Sequence, residues 1–394
     1  MPKRGLKVRR SKSLYKKRKS GFRKAVETMM FCALLGGLVF VGIVIAQALF
    51  NYTPPKEDPV DNPVTDISKP PDDETTEQPD SDSASEEQPH LNNGELASSV
   101  YINRDALITG DSGALRAQLQ SARANGFSSV VIEMKDDTGR VLYVSEVEGA
   151  AFVSEYVEAF TPILTAKQIA DICAEEGVVP VARISTLKDH TAPSGVVYSG
   201  WLDNRRENGG KPWANPYSER TVSYNAEITA ELYASGFENV IFANTLYPVF
   251  GSYDIPLLPE PVTNPSTNFI GLMNFLNGVS GGVPQANTLI EVKMSDFRGD
   301  DLSGSATILR NGGDSLHVKG ITLIFEREYF DRFSATEDDV ESVVRTAFET
   351  VRGYSGGLEI LPVLDGAGIS DNDRERIVEA FGKNGYENFA VKNY

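Results

Sequence analysis

The chain has 394 residues, which is long enough for an α/β barrel of roughly 250 residues and further segments. Its formal charge of −17 is unevenly distributed, with +11 in residues 1–50, −11 in residues 51–97 and −17 in residues 98–394. The acidic C-terminal part argues against a nucleic-acid partner, and the two cysteines and three histidines lack the spacing of a disulfide, a zinc site or another cofactor site.

The N-terminal part has the pattern of a membrane anchor. Residues 1–28 form a basic tail, and residues 29–50 form an apolar segment in which Gln47 is the only strongly polar residue. At about 1.5 Å per helical residue, these 22 residues span the roughly 30 Å hydrocarbon core of a bilayer. Ala46-Gln47-Ala48 satisfies a small-x-small cleavage pattern, so a cleaved signal peptide is the alternative. Because the Lys/Arg excess precedes the segment, we expect a single-pass protein of the cell membrane with a cytoplasmic N-terminus and an extracellular C-terminal domain.

Residues 51–97 have the composition of a tether. They contain eight prolines and many Asp, Glu, Ser and Thr residues, with few aromatic or branched apolar side chains. Such a segment cannot bury enough apolar surface to offset the entropy of ordering, so we predict a disordered linker. The folded domain is then expected to occupy residues 98–394.

From Val100 onward, short apolar runs alternate with amphipathic helical patterns. The predicted strands are Val100–Ile102, Ser129–Lys135, Val178–Ser185, Val240–Phe242, Thr288–Met294, Ile321–Glu326, Leu358–Asp365 and Phe389–Lys392. The predicted helices are Ser112–Asn125, Thr165–Glu176, Tyr217–Ser235, Asn268–Val279, Thr336–Tyr354 and Ser370–Asn384, with Thr165 and Thr336 as N-caps. This alternation predicts a (β/α)8 TIM barrel. A doubly wound sheet is the alternative, although no Gly-x-Gly-x-x-Gly follows an early strand.

Charged residues recur at the ends of the predicted strands. Glu133 and Lys135 are two residues apart and should share one face of their strand, and Glu291 and Lys293 repeat this spacing. Paired carboxylates at the rim of a barrel are the groups that glycoside hydrolysis requires. The sequence therefore predicts Glu291, Glu326 and Asp365 as catalytic, with Glu291 or Glu326 as general acid. The structural alternative is a layer of ion pairs inside the barrel, such as Glu133 with Lys135 or Glu291 with Lys293.

Several motifs occur in a characteristic order between about residues 100 and 248. They are Val131-Ile132-Glu133-Met134-Lys135-Asp136-Asp137-Thr138-Gly139, Ala182-Arg183-Ile184, Lys188-Asp189, Trp213-Ala214-Asn215-Pro216-Tyr217, Tyr224-Asn225 and Gly236-Phe237-Glu238. In this order they resemble a glycoside hydrolase-type family of bacterial extracellular and membrane-anchored proteins, a domain of unknown function related to alpha-amylase-type barrels. The resemblance implies a (β/α)8 barrel and a polysaccharide or oligosaccharide as partner. The predicted substrate-binding residues are Glu133, Lys135, Asp136, Arg183, Lys188, Asp189, Trp213, Asn215 and Asn244.

The chain departs from that family at the fourth predicted strand. The family pattern there is Phe-Asp-Tyr-x-Arg-Phe-Pro, whereas this chain has Phe242-Ala243-Asn244-Thr245-Leu246-Tyr247-Pro248. Ala243 takes the place of the expected acid and Leu246 that of the expected arginine, and neither side chain can perform those roles. Three hypotheses follow: a hydrolase of cell-wall or extracellular polysaccharide with rearranged carboxylates, a barrel that binds carbohydrate without cleaving it, and an envelope scaffold.

Aromatic residues in the predicted loops would suit stacking against sugar rings. They are Tyr198, Trp201, Trp213, Tyr217, Tyr247 and Tyr253. Packing against the barrel is the alternative, above all for Trp213.

Overall fold

Eight parallel strands close into a barrel. The computed structural model describes residues 98–108, 112–151, 158, 160–191, 197–203, 210–251, 260–264, 266–298, 301–333 and 340–393. The ring of strands is closed, which confirms the predicted barrel over the doubly wound sheet. The predicted basic tail, membrane segment and linker lie outside the described residues. In the ranges that are described, no helix has both the length and the apolar character needed to cross a membrane.

The barrel strands agree with the sequence prediction to within a few residues at each end. They are β1 (Ser99–Tyr101), β2 (Ser129–Lys135), β3 (Val179–Ser185), β6 (Asn239–Ala243), β7 (Asn287–Lys293), β10 (Gly320–Phe325), β11 (Glu359–Asp365) and β12 (Ala390–Lys392). Around the barrel they follow the order β1-β12-β11-β10-β7-β6-β3-β2. Every neighbouring pair is parallel, and the pairing of β1 with both β2 and β12 closes the ring. All the strands therefore present their C-terminal ends at the same rim.

Helices cover the outside of the barrel. The described helices are α1 (Asp105–Ile108), α2 (Ser112–Ala124), α3 (Ala166–Glu175), α4 (Glu219–Ala234), α5 (Glu260–Thr263), α6 (Asn268–Gly282), α7 (Arg327–Asp331), α8 (Val340–Ser355) and α9 (Asp371–Lys383). Thr165 caps α3 as predicted, because its side chain accepts from Gln168 N and the Gln168 side chain accepts from Thr165 N. The predicted cap Thr336 lies outside the described residues.

Two connections differ from strict alternation of strands and helices. Between β3 and α4 the chain forms an antiparallel hairpin of β4 (Val197–Asp203) and β5 (Lys211–Ala214). Between β7 and β10 it forms a two-stranded ribbon of β8 (Phe297–Arg298) and β9 (Asp301–Leu302) and short 3-10 helices. Glycines that adopt positive φ interrupt this second connection, at Gly304 and Gly312, and a continuous α-helix would not accommodate them.

Two small apolar clusters fill the interior of the barrel below the C-terminal rim. One contains Val131, Val181, Ile241 and Leu289, and the other contains Ile324, Leu361, Val363 and Ala390. Tyr101, at the end of β1, packs against both. Because side chains alternate along a strand, the next inward positions above the first cluster are Glu133, Arg183, Ala243 and Glu291. Polar side chains thus lie directly above an apolar floor.

Candidate functional site

Arg183 is the centre of a polar network at the C-terminal mouth of the barrel. It lies on β3, and its side chain is only 4% exposed. Its Nε and Nη2 donate to the two carboxylate oxygens of Glu291 on β7, at 2.8 and 2.9 Å. Its Nη1 donates to Glu133 Oε1 on β2 at 2.7 Å and to Asp137 Oδ1 at 2.8 Å. One buried guanidinium therefore holds three carboxylates, two of them on the same nitrogen. We refer to Arg183, Glu133, Asp137 and Glu291 as the Arg183 network.

Asp137 is anchored from a second side by Asn244. The Asn244 amide donates to Asp137 Oδ1 at 2.9 Å and to Ser185 Oγ at 3.0 Å. Asn244 directly follows β6 and has φ of 54°, a left-handed conformation that asparagine tolerates better than most residues. Asp137 Oδ1 thus receives bonds from both Arg183 and Asn244, while its side chain remains 46% exposed. Both of these hydrogen bonds are made by Oδ1, and Oδ2 accepts none from the described residues.

The carboxyl groups of the Arg183 network have pKa values that are shifted in opposite directions. Burial raises the pKa of Glu133, and this effect outweighs the opposing charge of Arg183. Burial acts upward on Asp137 and Glu291 as well, but the charge and hydrogen bonds of Arg183 outweigh it and lower the pKa of both. Lys188 lowers the pKa of Asp137 further, which places this predicted binding residue at the same mouth. Glu133 is therefore the group in the network that most readily carries a proton.

Lys135 does not join this network, in contrast to the prediction that it shares a face with Glu133. The pairing of β2 with β3 shifts register between Glu133 and Lys135, so the expected alternation is broken. Lys135 instead forms a fully buried ion pair with Asp189, with 2.6 Å between Nζ and Oδ2. Its ammonium lies 5.1 Å from the ring centroid of Tyr224 on α4. The predicted layer of ion pairs exists, but Glu133 and Glu291 pair with Arg183 and Lys135 pairs with Asp189.

Other residues predicted to bind substrate are placed in the framework of the loops. Asp136 is fully buried and accepts hydrogen bonds from Thr138 and Arg140, which fold the turn after β2. Trp213 is fully buried in the hairpin, and Asn215 accepts a turn hydrogen bond from Tyr217 N at 2.9 Å. In this conformation Lys135, Asp136, Asp189 and Trp213 offer no exposed surface to a substrate.

The three residues predicted as catalytic occupy separate places on the rim. Glu291 is 7% exposed and both its oxygens bond Arg183. Glu326 follows β10 and accepts from Ser295 N at 2.9 Å, beside Asp296. Burial raises the pKa of Glu326, and it raises that of Asp296 to about 6 although Lys293 opposes the shift. Asp365 accepts from Asn393 Nδ2 at 2.8 Å and from Ala367 N at 3.1 Å.

Ala243 and Leu246, the two positions that depart from the family pattern, bring no charged side chain to the mouth of the barrel. Ala243, the last residue of β6, is fully buried, and its carbonyl oxygen accepts from Thr186 N at 2.9 Å. Leu246 is partly buried and packs against the outer core. Within the ranges that the structure describes, no group of three or more His, Cys, Asp or Glu side chains could hold a metal ion.

A cavity of about 640 Å³ opens beside the Arg183 network. Its polar lining includes Tyr101, Arg104, Glu133, Arg183, Lys392 and Asn393. Sequence reasoning did not identify Tyr101, Arg104 or Asp137 as site residues. Tyr101 could have been identified from its position at the end of the first barrel strand. Asp137 could have been identified from the motif that also contains Glu133.

Some of the predicted stacking residues form an aromatic cluster. Trp201 lies 6.1 Å from Tyr217, 5.6 Å from Tyr247 and 5.4 Å from Phe250 between ring centroids. Trp201 is buried, so it packs the hairpin, while Tyr217 is 43% exposed and could meet a ligand. Tyr253 lies outside the described residues.

Residues 99–290 match the model of a family described as "Putative glycosyl hydrolase domain". This match confirms the family resemblance that the motifs indicate, and it ends one residue before Glu291. No curated protein sequence gives a significant match.

Similar solved structures include glycoside hydrolases. A hypothetical protein from Ruminiclostridium thermocellum is 17% identical over 49% of this chain and 96% of its own, with a TM-score of 0.37. A variant of the glycoside hydrolase domain of PelA from Pseudomonas aeruginosa is 12% identical over 75% of this chain and 94% of its own, with a TM-score of 0.38. The catalytic domain of beta-amylase from Paenibacillus polymyxa is 12% identical over 75% of this chain and 91% of its own, with a TM-score of 0.47.

Proposed function

We propose that the barrel is a retaining glycoside hydrolase in which Glu133 is the proton donor and Asp137 is the nucleophile. The observation that carries this proposal is that both carboxylates bond the same Arg183 nitrogen, at 2.7 and 2.8 Å, with their pKa values shifted apart. The bonded oxygens cannot be more than about 5.5 Å apart. Retaining enzymes hold their two carboxyl groups close together, roughly 5 to 5.5 Å apart, so a pair of carboxylates bound to one guanidinium nitrogen supports the choice of a retaining mechanism.

The reaction would proceed in two steps. In the first, Glu133 gives its proton to the glycosidic oxygen as the bond from that oxygen to the anomeric carbon breaks, and Asp137 Oδ2 forms a bond to the anomeric carbon. The sugar alcohol leaves. In the second, Glu133 removes a proton from water, the water oxygen attacks the anomeric carbon, and Asp137 leaves as a carboxylate. Both carboxyl groups return to their starting states.

The remaining members of the network position these two groups. Glu291 engages Arg183 Nε and Nη2, which fixes the direction in which Nη1 points at Glu133 and Asp137. Asn244 holds Asp137 Oδ1, so Oδ2 is the oxygen left for the sugar. The lowered pKa of Glu291 is unfavourable for a general acid, which is why we place the proton on Glu133. The sequence-based assignment of Glu291, Glu326 and Asp365 stays a prediction.

The test uses the full-length chain in a detergent without a sugar headgroup. Release of reducing ends is measured on a panel of cell-wall and extracellular polysaccharides, and NMR follows the anomer that forms first. Glu133→Gln and Asp137→Asn should each lower kcat by roughly a hundredfold or more. Glu238→Gln is the matched control, because Glu238 is exposed at the N-terminal end of β6 and should leave turnover unchanged.

Three results would contradict this assignment. Turnover that survives both Glu133→Gln and Asp137→Asn would remove those residues from the mechanism. Loss of turnover in Glu326→Gln or Asp365→Asn, with activity retained in Glu133→Gln, would support the sequence-based assignment. An inverted first product would exclude a covalent intermediate on Asp137.

A second candidate function is carbohydrate binding without cleavage. It is favoured by Ala243, since the position of the family's acid holds a buried methyl group at the mouth of the barrel. Binding of a glycan from the panel without any product, in the wild-type chain, would favour this candidate. Introducing Asp at Ala243 together with Arg at Leu246 should then create turnover if only those two groups are missing.

We also propose that residues 29–50 hold the chain in the cell membrane with the barrel outside, where it meets cell-wall or extracellular polysaccharide. The support is the length of the apolar segment and the +11 charge of residues 1–50. External protease should digest the C-terminal domain on intact cells. Full protection of that domain until lysis would contradict the proposed topology.

A further inference from the structure

The cavity beside the Arg183 network extends from Glu133 to one face of helix α2. The helix contributes Gln118, Ser121, Ala122 and Asn125 to its lining. These positions have the spacing i, i+3, i+4 and i+7, so they share one face of the helix. The volume of about 640 Å³ lies within the roughly 300–1,000 Å³ of small-molecule sites. The cavity is therefore large enough for sugar units that continue away from Glu133.

Asn103 connects Glu133 with this face of α2. Ile102 N donates to Val131 O at 3.1 Å, so the register of β1 with β2 continues beyond the end of β1. That register brings Asn103 to the level of Glu133. Asn103 N in turn donates to Gln118 Oε1 at 2.8 Å. The proposed proton donor and the α2 side of the cavity thus belong to one continuous wall.

Four amide side chains of the lining are each held at one end. Asn103 and Gln118 accept a backbone N–H through the amide oxygen, at 2.9 and 2.8 Å, and their NH₂ groups make no hydrogen bond to the described residues. Asn125 and Asn393 donate through Nδ2 to oxygen atoms of the chain, both at 2.8 Å, and their amide oxygens accept no hydrogen bond from the described residues. The lining therefore offers fixed donors and fixed acceptors together. A sugar hydroxyl both donates and accepts, so it can use either kind of group.

The charges around Glu133 are balanced. The three carboxylates of the Arg183 network face three cations, Arg183 itself, Lys188 and Lys392. Arg104, which also lines the cavity, has its Nη1 3.3 Å from Asp136 Oδ2. Each cation of the lining therefore faces a carboxylate, and a ligand gains nothing from a charge of its own. An uncharged ligand also avoids the cost of dehydrating an ion.

We propose that this cavity binds the leaving part of a neutral glycan, with the first leaving sugar beside Glu133 and the next along the face of α2 at Gln118 and Ser121. The inference rests on the proposed function, because the general acid has to reach the oxygen of the leaving sugar. Glu133, the proposed acid, lines the cavity, whereas Asp137, the proposed nucleophile, lies outside its lining. The cavity is thus on the side from which the proton comes.

The first test is calorimetric titration of the full-length chain in the same detergent. The probes are the neutral hexasaccharides of cellulose, xylan, laminarin and chitin, with hexagalacturonate as the charged comparison. At least one neutral hexasaccharide should bind, and Ser121→Trp, which fills the cavity, should weaken that binding roughly tenfold or more. Ala117→Trp is the matched control, because Ala117 is exposed on the same helix outside the lining and should leave the affinity unchanged.

Gln118→Ala provides a second variant that adds no bulk to the helix. It removes one amide of the lining and should weaken binding of the same hexasaccharide about threefold to tenfold. Circular dichroism confirms that each variant is folded. Unchanged affinity in both Ser121→Trp and Gln118→Ala would overturn the inference.

The second test locates the cavity on the leaving side. A glycosyl fluoride of the sugar that the barrel cleaves releases a fluoride ion, so it needs no sugar in the cavity. Ser121→Trp and Gln118→Ala should therefore lower kcat/KM for the hexasaccharide and leave kcat/KM for the fluoride unchanged. Equal losses on both substrates would overturn the placement of the leaving sugar.

The outcomes separate this inference from the proposed function. Cleavage of hexasaccharides that neither Ser121→Trp nor Gln118→Ala affects overturns the inference and leaves the hydrolase proposal intact. Tighter binding of hexagalacturonate than of every neutral hexasaccharide overturns the neutral class. Binding that Ser121→Trp abolishes, without any turnover, supports a glycan site in this cavity on a barrel that only binds. Neither binding nor turnover with any probe overturns both.

Discussion

Replacement of Arg183 by methionine should destabilise the barrel strongly at neutral pH. The change removes four hydrogen bonds to Glu133, Asp137 and Glu291, and it leaves Glu291 as a buried carboxylate without a partner. Removal of one member of a buried ion pair costs about 3–5 kcal/mol. A domain of this size loses about 2 °C of melting temperature for each kcal/mol, so the expected decrease is roughly 6–10 °C.

The effect should depend on pH in a defined direction. In the wild type the pKa of Glu291 is lowered, so its contribution to stability is present above its unfolded pKa of roughly 4.3 and is lost as pH falls through the folded value. Without Arg183, burial is the largest effect left on Glu291; it outweighs the opposing charge of Lys392 and raises the pKa of Glu291. The variant then gains relative stability as the carboxyl group becomes protonated. Its deficit should therefore be smaller at pH 5 than at pH 7.

Thermal unfolding followed by circular dichroism at both pH values measures this prediction. Arg116→Met is the matched control, because Arg116 also bonds two carboxylates, Glu175 and Glu176, but at the solvent-exposed surface. Solvent screens such pairs, so the control should shift the melting temperature only slightly. The reasoning is refuted if Arg183→Met melts within about 2 °C of the wild type at pH 7, or if its deficit is the same at both pH values.

Three further predictions concern stability, each measured by thermal unfolding. Gly139→Ala should destabilise the fold more than Gly126→Ala, although both positions have positive φ. A Cβ at Gly139 would lie 2.1 Å from Asp189 Oδ1, whereas no atom lies within 4 Å of a Cβ at Gly126. Equal losses of stability in the two variants would contradict this reasoning. In the wild type the folded pKa of Asp296 is raised to about 6, so its contribution to stability is present below its unfolded pKa and is lost as pH rises, a decrease of about 2–3 kcal/mol between pH 4 and pH 6. Asp296→Asn should abolish this decrease. An unchanged pH profile in the variant would exclude this role. Thr165→Ala should cost about 1 kcal/mol through loss of the capping box, and an unchanged melting temperature would show that the cap is redundant.

The barrel was predictable because its strands carry short-range signals. Helix stops such as Gly177 and Gly236, both with positive φ, precede β3 and β6 directly, and the apolar runs that follow are short and rich in branched residues. The hairpin of β4 and β5 and the 3-10 connection after β7 were not predicted. Neither has a helical period, and their structure depends on contacts with the rest of the domain.

The composition of the site was partly predictable, and its pairing was not. Glu133, Arg183 and Glu291 lie on strands whose C-terminal ends meet at one rim, so their convergence followed from topology. The separation of Lys135 from Glu133 depends on a register shift in β2, which residue spacing alone does not reveal. Asp137 and Tyr101 were missed for another reason: one lies in a turn and the other in a strand of three residues, where periodicity carries little information.

The Arg183 network brings a guanidinium and a carboxylate to the mouth of the barrel although Ala243 and Leu246, at the fourth barrel strand, supply neither group. Instead, β3 supplies the guanidinium of Arg183, and the turn after β2 supplies the carboxylate of Asp137. Asn244 connects the two regions, because it directly follows Ala243 and its amide donates to Asp137. Under the proposed function, Asn244→Ala should therefore lower kcat more than it raises KM, since it would free the nucleophile without removing a contact that holds the sugar. A pure increase in KM would show that Asn244 acts on the substrate itself.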